Sequence, residues 1–398
     1  MRTKGGVMYE EPVGDASAGH RRYRRQPTGY ERFMQEQNIP IVRGIGVRDV
    51  RELGLAPWKR MGGQGCFIQL DGIRARTGMY VVEVPAGGVL NAERHIYEEN
   101  FLIVEGRGTT EVWREGSAKK QAFEWQSGSL FSIPVNTWHR LVNATSSPAL
   151  VLGVTTAPIT LTLFPNERFI FDNPFEWTDR YDEHEDYFKP REEFEPDPQT
   201  GQALLRTNLM PDVVHCYLPL DNTRGPGYRF FRLRMAGNTA FVEGFVAEYP
   251  SGRYSKAHYH PSGAVLVCAR GKGYSYTWPK DLGARPWEAG KKDLVKMQEY
   301  VPGGMIAAAP GGGDWFHQHF SVGKDPLRVV NITGRSRLGL LRAEYTNLDD
   351  DIAGVAVEID EGGHALSYRD EDPHIRKAYQ EALKREGVKF EMPDSIYT

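Results

Sequence analysis

The feature that most constrains how this 398-residue chain can fold is an internal repeat. The segment VEVPAGGVLNAERHIYEENFLIVEGRGTTEVW, from Val82, aligns with AEYPSGRYSKAHYHPSGAVLVCARGKGYSYTW, from Ala247, at a constant offset of 165. Glu83, Pro85, Gly87, His95, Gly106, Gly108 and Trp113 then meet Glu248, Pro250, Gly252, His260, Gly271, Gly273 and Trp278 without a gap. Further on, the offset becomes 178, pairing His139 with His317, Pro148 with Pro326, Val151 with Val329 and Thr155 with Thr333. The 13-residue difference falls in the polar stretch PKDLGARPWEAGKKDL, which reads as a loop inserted in the second copy. Two similar domains also suit a chain too long for one ordinary core.

Each copy consists of short alternating runs such as GMYVVEV, NFLIVEG, AVLVCARG and LRVVNIT, cut at close intervals by Gly and Pro. That pattern predicts an all-β fold of antiparallel sandwiches or barrels. The expected organisation is an N-terminal tail and helix over 1–40, a first barrel over 41–162, an acidic and aromatic linker over 163–213, a second barrel over 214–345 and a C-terminal extension over 346–398. The linker reads as a segment that packs on the barrels without a core of its own. Thr28 followed by Glu31 forms a capping-box signal for one flanking helix. Asp372, Pro373 and Gly387 mark the start and stop of another, with Ile375, Tyr379 and Leu383 as its apolar stripe.

Composition narrows the function. A net charge of −3 gives no support for a nucleic-acid or membrane-surface partner, and the basic run RRYRR (Arg21 to Arg25) reads as a solvated tail. No apolar run approaches the length of a membrane span, and the first residues lack the apolar centre of a secretory signal. Cys66, Cys216 and Cys268, odd in number and widely spaced, read as reduced, buried thiols. The expected compartment is the cytoplasm, and Asn143-Ala-Thr is then a chance glycosylation match.

Both copies resemble the cupin barrel, whose first motif is Gly, five residues, His-x-His, three residues, Glu, six residues, Gly, and whose second places Pro, His and Asn after a Gly. The first copy keeps Gly128, Pro134, His139 and Asn143, together with His95, Glu99 and Gly106, but has Glu93 where the first His belongs. The second keeps His258, His260, Gly271 and His317, with Ala264 at the Glu position. The resemblance implies two tandem double-stranded β-helix (jelly-roll) barrels, a bicupin. The second copy further resembles gentisate-type ring-cleaving dioxygenases, which hold iron with three histidines and carry an aromatic-His-x-His segment, here Phe316 to His319. In those enzymes the metallated barrel is usually the N-terminal one, so substrate identity does not transfer.

His258, His260 and His317 would occupy one face of a metal and leave the opposite positions open, the mark of a catalytic site. The expected cofactor is a divalent transition metal, foremost Fe(II), with Mn, Ni and Zn as alternatives. Without a carboxylate ligand the charge would be balanced by an anionic small-molecule substrate, a hydroxylated aromatic or an enol, beside O2. His319, two residues on, is a candidate proton carrier or supporting group. Glu93, His95, Glu99 and His139 form a candidate second metal site, with a vestigial or scaffold role slightly preferred. Arg232 and Arg234 are candidates to hold a substrate carboxylate, although a solvated or salt-bridged strand face is the blander reading. Tyr276 and Trp278 are candidates to line the pocket, against a place in the barrel core.

Three functions remain open. The first is a non-haem iron dioxygenase. The second is an O2-independent metal-dependent isomerase, hydrolase or decarboxylase. The third is a non-catalytic metal- or small-molecule-binding bicupin. A homo-oligomer is compatible with each.

Overall fold

The structure, a computed structural model, describes residues 25–73, 75–198, 200–235, 244–260, 264–312, 314–332 and 356–398. The basic run before Arg25, Thr333 and the expected boundary between the second barrel and the C-terminal extension lie outside them.

The repeat in sequence is a repeat in topology. In the first barrel the strands Gly78–Val84, Ala149–Thr155, Glu99–Glu105 and Leu130–Ile133 lie side by side in one large sheet. In the second, Gly244–Tyr249, Leu327–Asn331, Val265–Arg270 and Met305–Ala307 repeat that order. Each large sheet faces a smaller one: Trp138–Val142, Arg107–Trp113 and Gln121–Gln126 in the first barrel, and His258–His260, Trp315–Ser321, Gly273–Pro279 and Lys296–Tyr300 in the second. The protein is all-β, two tandem cupin-type jelly rolls with flanking helices.

The matched glycines have a local cause. Gly106 and Gly271 turn with φ of 88° and 84°, and a Cβ would lie 2.7 Å from Ala149 Cβ at the first and 2.3 Å from Pro326 O at the second. Positive φ and close backbone approach together require glycine there.

The barrels share a core. Cys66, Ile68, Val81 and Leu152 of the first large sheet join Phe231, Val246, Val267 and Val330 of the second in one buried apolar cluster. The segments preceding each barrel also cross over. Gly46–Val47 pairs with Met305 and Ile306 of the second barrel, and Leu209–Met210 pairs with Leu130 and Phe131 of the first. Each crossing covers an edge that would otherwise be open to other chains. The linker adds Phe194–Pro196 and Ala203–Arg206 to the edge of the second large sheet.

Gly29–Glu36 is the N-terminal helix, and its capping box forms: Glu31 N–H donates to Thr28 Oγ1 at 3.2 Å, and Thr28 N–H to the Glu31 carboxylate at 2.8 Å. Tyr30, Phe33 and Met34 bury into the first barrel. The C-terminal helix Pro373–Glu386 starts at Asp372 and ends at Gly387 (φ 64°), burying Ile375, Tyr379 and Leu383 against the second barrel. Two short helices, Ala157–Leu163 and Glu167–Phe171, were not apparent from the sequence pattern. No helix among the described residues is long and apolar enough to cross a membrane.

Candidate metal centres

His258 and His260 lie on a three-residue strand, and alternation turns both to one side. His317 lies directly opposite His258 on the neighbouring antiparallel strand, so it shares that face. The ring centroids are 4.1 Å apart for His258 and His317 and 4.8 Å for His260 and His317. One donor atom from each of the three buried side chains lies within 4.8 Å of the others. His317 Nδ1–H donates to Trp315 O at 3.2 Å, which leaves Nε2 as the coordinating lone pair. Buried His258 Nδ1 has no hydrogen-bond partner. Burial, then the charges of Arg224 and the neighbouring histidines, hold His258 well below the ordinary imidazole range. A neutral imidazole with a buried, unsatisfied nitrogen fits a metal ligand.

The other residues of this barrel divide by strand parity. Gly273–Pro279 runs beside Trp315–Ser321 with Thr277 opposite His317 and Ser275 opposite His319. Thr277 and Ser275 therefore share the histidine face, while Tyr276 and Trp278 point to the other side. This corrects the expectation that Tyr276 and Trp278 line the pocket. Trp278 is fully buried, stacks on Phe316 at 5.3 Å and donates to Gly283 O. Tyr276 meets Trp287 and Phe320. Both belong to the cluster beneath the C-terminal helix. Thr277 Oγ1, buried and without a hydrogen bond, is the residue the sequence reading missed; it is His317's cross-strand partner, which only the strand register reveals.

His319 lies on the histidine face, 5.7 Å in centroid from His317, with its Nδ1 3.0 Å from the Tyr300 hydroxyl. Burial, then His317 and Arg224, keep it uncharged. Arg232 donates to Gln202 at 2.9 Å, and Arg234 pairs with Asp197 at 3.3 Å. These partners engage the two arginines within the strand face, Arg232 with an amide and Arg234 in an ion pair, closer to the blander of the two readings.

The first barrel brings Glu93, His95, Glu99 and His139 together, all buried, with donor atoms again within 4.8 Å of one another. His95 Nδ1–H donates to Tyr97 O at 3.0 Å and His139 Nδ1–H to Thr137 O at 3.2 Å. Both Nε2 lone pairs consequently face carboxylate oxygen: His95 lies 3.1 Å and His139 3.4 Å from Glu99 Oε2, and His139 lies 3.9 Å from Glu93 Oε1. Acceptors cannot face acceptors so closely unless a cation sits among them, either a proton or a metal ion. With protons there, burial pulls His139 down but Glu99 and Glu93 outweigh it and raise its pKa. Burial likewise opposes Glu99 ionisation, yet His95 and His139 hold it below the carboxylate range.

Tyr80 donates to Glu99 Oε1 at 2.6 Å and Arg60 pairs with Glu93 at 3.1 Å. Neither was read from the sequence, because nothing local marks them. Tyr97 stacks on His95 at 3.6 Å. The adjoining cavity, bordered by Tyr30, Arg60, Glu93 and Tyr97, measures about 10 Å³, room for one water-sized ligand.

The cysteines are free, with Cys66 and Cys268 buried and Cys216 half-buried. Burial pushes all three thiols up, to about 11 or 12, so none is an activated nucleophile. Asn143 is fully buried and donates to Ser147 O at 2.8 Å, which is incompatible with a glycan.

Fold and site together define an all-β protein of two jelly-roll barrels, with two clusters of metal-donor geometry among the described residues. Residues 80–155 match the family model described as a cupin domain. No curated protein matches the sequence. Among solved structures the chain is similar to oxalate decarboxylase from Bacillus subtilis at pH 4.6, with 13% identity, TM-score 0.44, and coverage of 72% of this chain and 75% of that one. A structure of the same enzyme, reported for its Mn(II) centres, gives 13% identity, TM-score 0.44, and coverage of 72% and 76%.

Proposed function

We propose that the protein is a metal-dependent bicupin enzyme whose reacting centre is the cation held by His258, His260 and His317, and that it is a non-haem Fe(II) dioxygenase acting on a small hydroxylated aromatic or enolic anion. The observation that carries this reading is the all-imidazole donor set: three neutral ligands on one side, with Ala264 where a fourth, carboxylate ligand would stand. Such a centre keeps open positions and an uncompensated charge, the conditions for chelating an anionic oxygen substrate beside O2. Bound Fe(II) would supply the one-electron chemistry that O2 requires. The chain's own residues would orient the ligands and exclude water, and the Tyr300 hydroxyl fixes the His319 ring on the histidine face.

A second reading, O2-independent decarboxylation, isomerisation or hydrolysis, is favoured by the first barrel. Its two glutamates make a harder donor set suited to Mn, and Arg60 supplies a cation at the edge of a water-sized cavity. Elemental analysis of the purified protein, paired with O2 uptake on hydroxylated benzoates and diketones, separates the readings. Iron with substrate-dependent O2 uptake, both lost in His260→Ala, supports the first. Turnover under nitrogen that survives His260→Ala overturns it in favour of the second.

A further inference from the structure

The two barrels differ at one buried position that shape alone does not explain. At the repeat offset of 165, Thr277 corresponds to Val112. Strand register repeats the correspondence: Val112 lies directly opposite His139 in the first small sheet, and Thr277 directly opposite His317 in the second. Directly opposed side chains share a face, with Cβ atoms about 4.5–5.5 Å apart. Val112 and Thr277 are both fully buried. They are β-branched and of one shape, so either fills the position. Only threonine brings a hydroxyl.

That hydroxyl has no hydrogen-bond partner among the described residues. Burying it unpaired destabilises the folded chain, and the valine of the first copy shows that the fold accepts the apolar isostere. The pair next to it on the histidine face is satisfied elsewhere: Ser275 donates to Gln318 O at 3.0 Å, and His319 Nδ1 lies 3.0 Å from the Tyr300 hydroxyl. Lys296, opposite Thr277 on its other side, is exposed. One row across three strands thus carries His258, His317 and Thr277, two candidate metal donors followed by an unpartnered hydroxyl.

We propose that Thr277 is a ligand-binding residue of the second-barrel site, its hydroxyl donating a hydrogen bond to an anionic oxygen of the substrate beside His317. The inference rests on the reading of His258, His260 and His317 as the reacting centre and narrows its substrate to one presenting an oxygen anion, not a sulfur one, at that point. A hydroxyl donating to a charged oxygen makes a strong bond in a dry site, whereas sulfur is a weak acceptor. The donor left unpaired by a sulfur analogue makes the site reject it. The first barrel, with Val112, has no such discrimination at its own cluster.

The test uses two chelating probes of like shape, catechol and benzene-1,2-dithiol, titrated calorimetrically under nitrogen into iron-loaded wild type, Thr277→Val and Thr277→Ser. Iron content is measured alongside, and thermal unfolding of the metal-free proteins gives a readout independent of any ligand. The expected result in Thr277→Val is a roughly 10- to 100-fold loss of catechol affinity, with dithiol binding and iron content unchanged, while Thr277→Ser stays near wild type. Metal-free Thr277→Val, which no longer buries an unpaired hydroxyl, should unfold at a temperature higher by roughly 2–4 °C. Unchanged catechol binding in Thr277→Val, an equal loss of both probes, or a lower unfolding temperature of the metal-free variant each overturns the role of Thr277 alone. Failure of iron-loaded wild type to bind either probe overturns the underlying reading of the centre and the role of Thr277 with it.

Discussion

Glu371 offers a sharp test of how the C-terminal segment is coupled to the second barrel. One carboxylate oxygen accepts from the Tyr254 hydroxyl, and the other from Gln318 Nε2 at 3.1 Å, between His317 and His319 on the same strand. Burial pushes its pKa up to about 7 from an ordinary 4.5, outweighing the two hydrogen bonds and nearby Arg376, which pull it down. The folded chain therefore holds a proton that the unfolded chain releases above about 4.5. Native stability is favoured at low pH and falls as pH rises from about 4.5 to about 7, by roughly 3 kcal/mol. Glu371→Gln removes this titration and keeps the shape. The amide oxygen can accept from Gln318, and the amide nitrogen can donate to Tyr254 Oη, which passes its own proton to Tyr397 Oη at 2.8 Å. The expected outcome is near-equal stability of the two proteins at pH 4.5 and a variant more stable by about 2–3 kcal/mol at pH 8. Urea unfolding followed by tryptophan fluorescence measures the difference, so that titrations common to both proteins cancel. A wild type–variant difference that stays constant from pH 4.5 to 8 would refute the argument.

Three further outcomes follow from the two histidine clusters and the core beside them. In Glu99→Gln the carboxylate facing His95 and His139 is gone; the first barrel should lose its metal, and the chain about 3–5 kcal/mol, seen in metal content and thermal unfolding. In the wild type, metal must displace the proton that Glu99 and Glu93 favour on His139, so first-barrel affinity should fall as pH drops, and a pH-independent affinity would count against that set. Trp278→Ala should cost about 3–5 kcal/mol through the cavity it leaves while metal content at His258, His260 and His317 stays whole; an emptied site with little loss of stability would return Trp278 to the pocket.

The sequence by itself determined the duplication, the all-β barrel class and the two histidine groups, because each rests on spacing within or between strands. Alternation alone puts His258 and His260 on one side, and the repeat marks His95, His139 and His317. The capped ends of the two flanking helices were equally local. What only the tertiary structure decided depends on which strands become neighbours. Register, not spacing, places Thr277 opposite His317 and turns Tyr276 and Trp278 towards the C-terminal helix. A hydrogen bond from Arg232 to Gln202 and an ion pair of Arg234 with Asp197 engage two arginines across the chain, while Arg60 and Tyr80 reach the first-barrel cluster from strands and loops distant in sequence. A histidine ligand is written in a strand's period of two, but the charge and hydrogen bonds around it come from segments that meet only when both barrels close on their shared core.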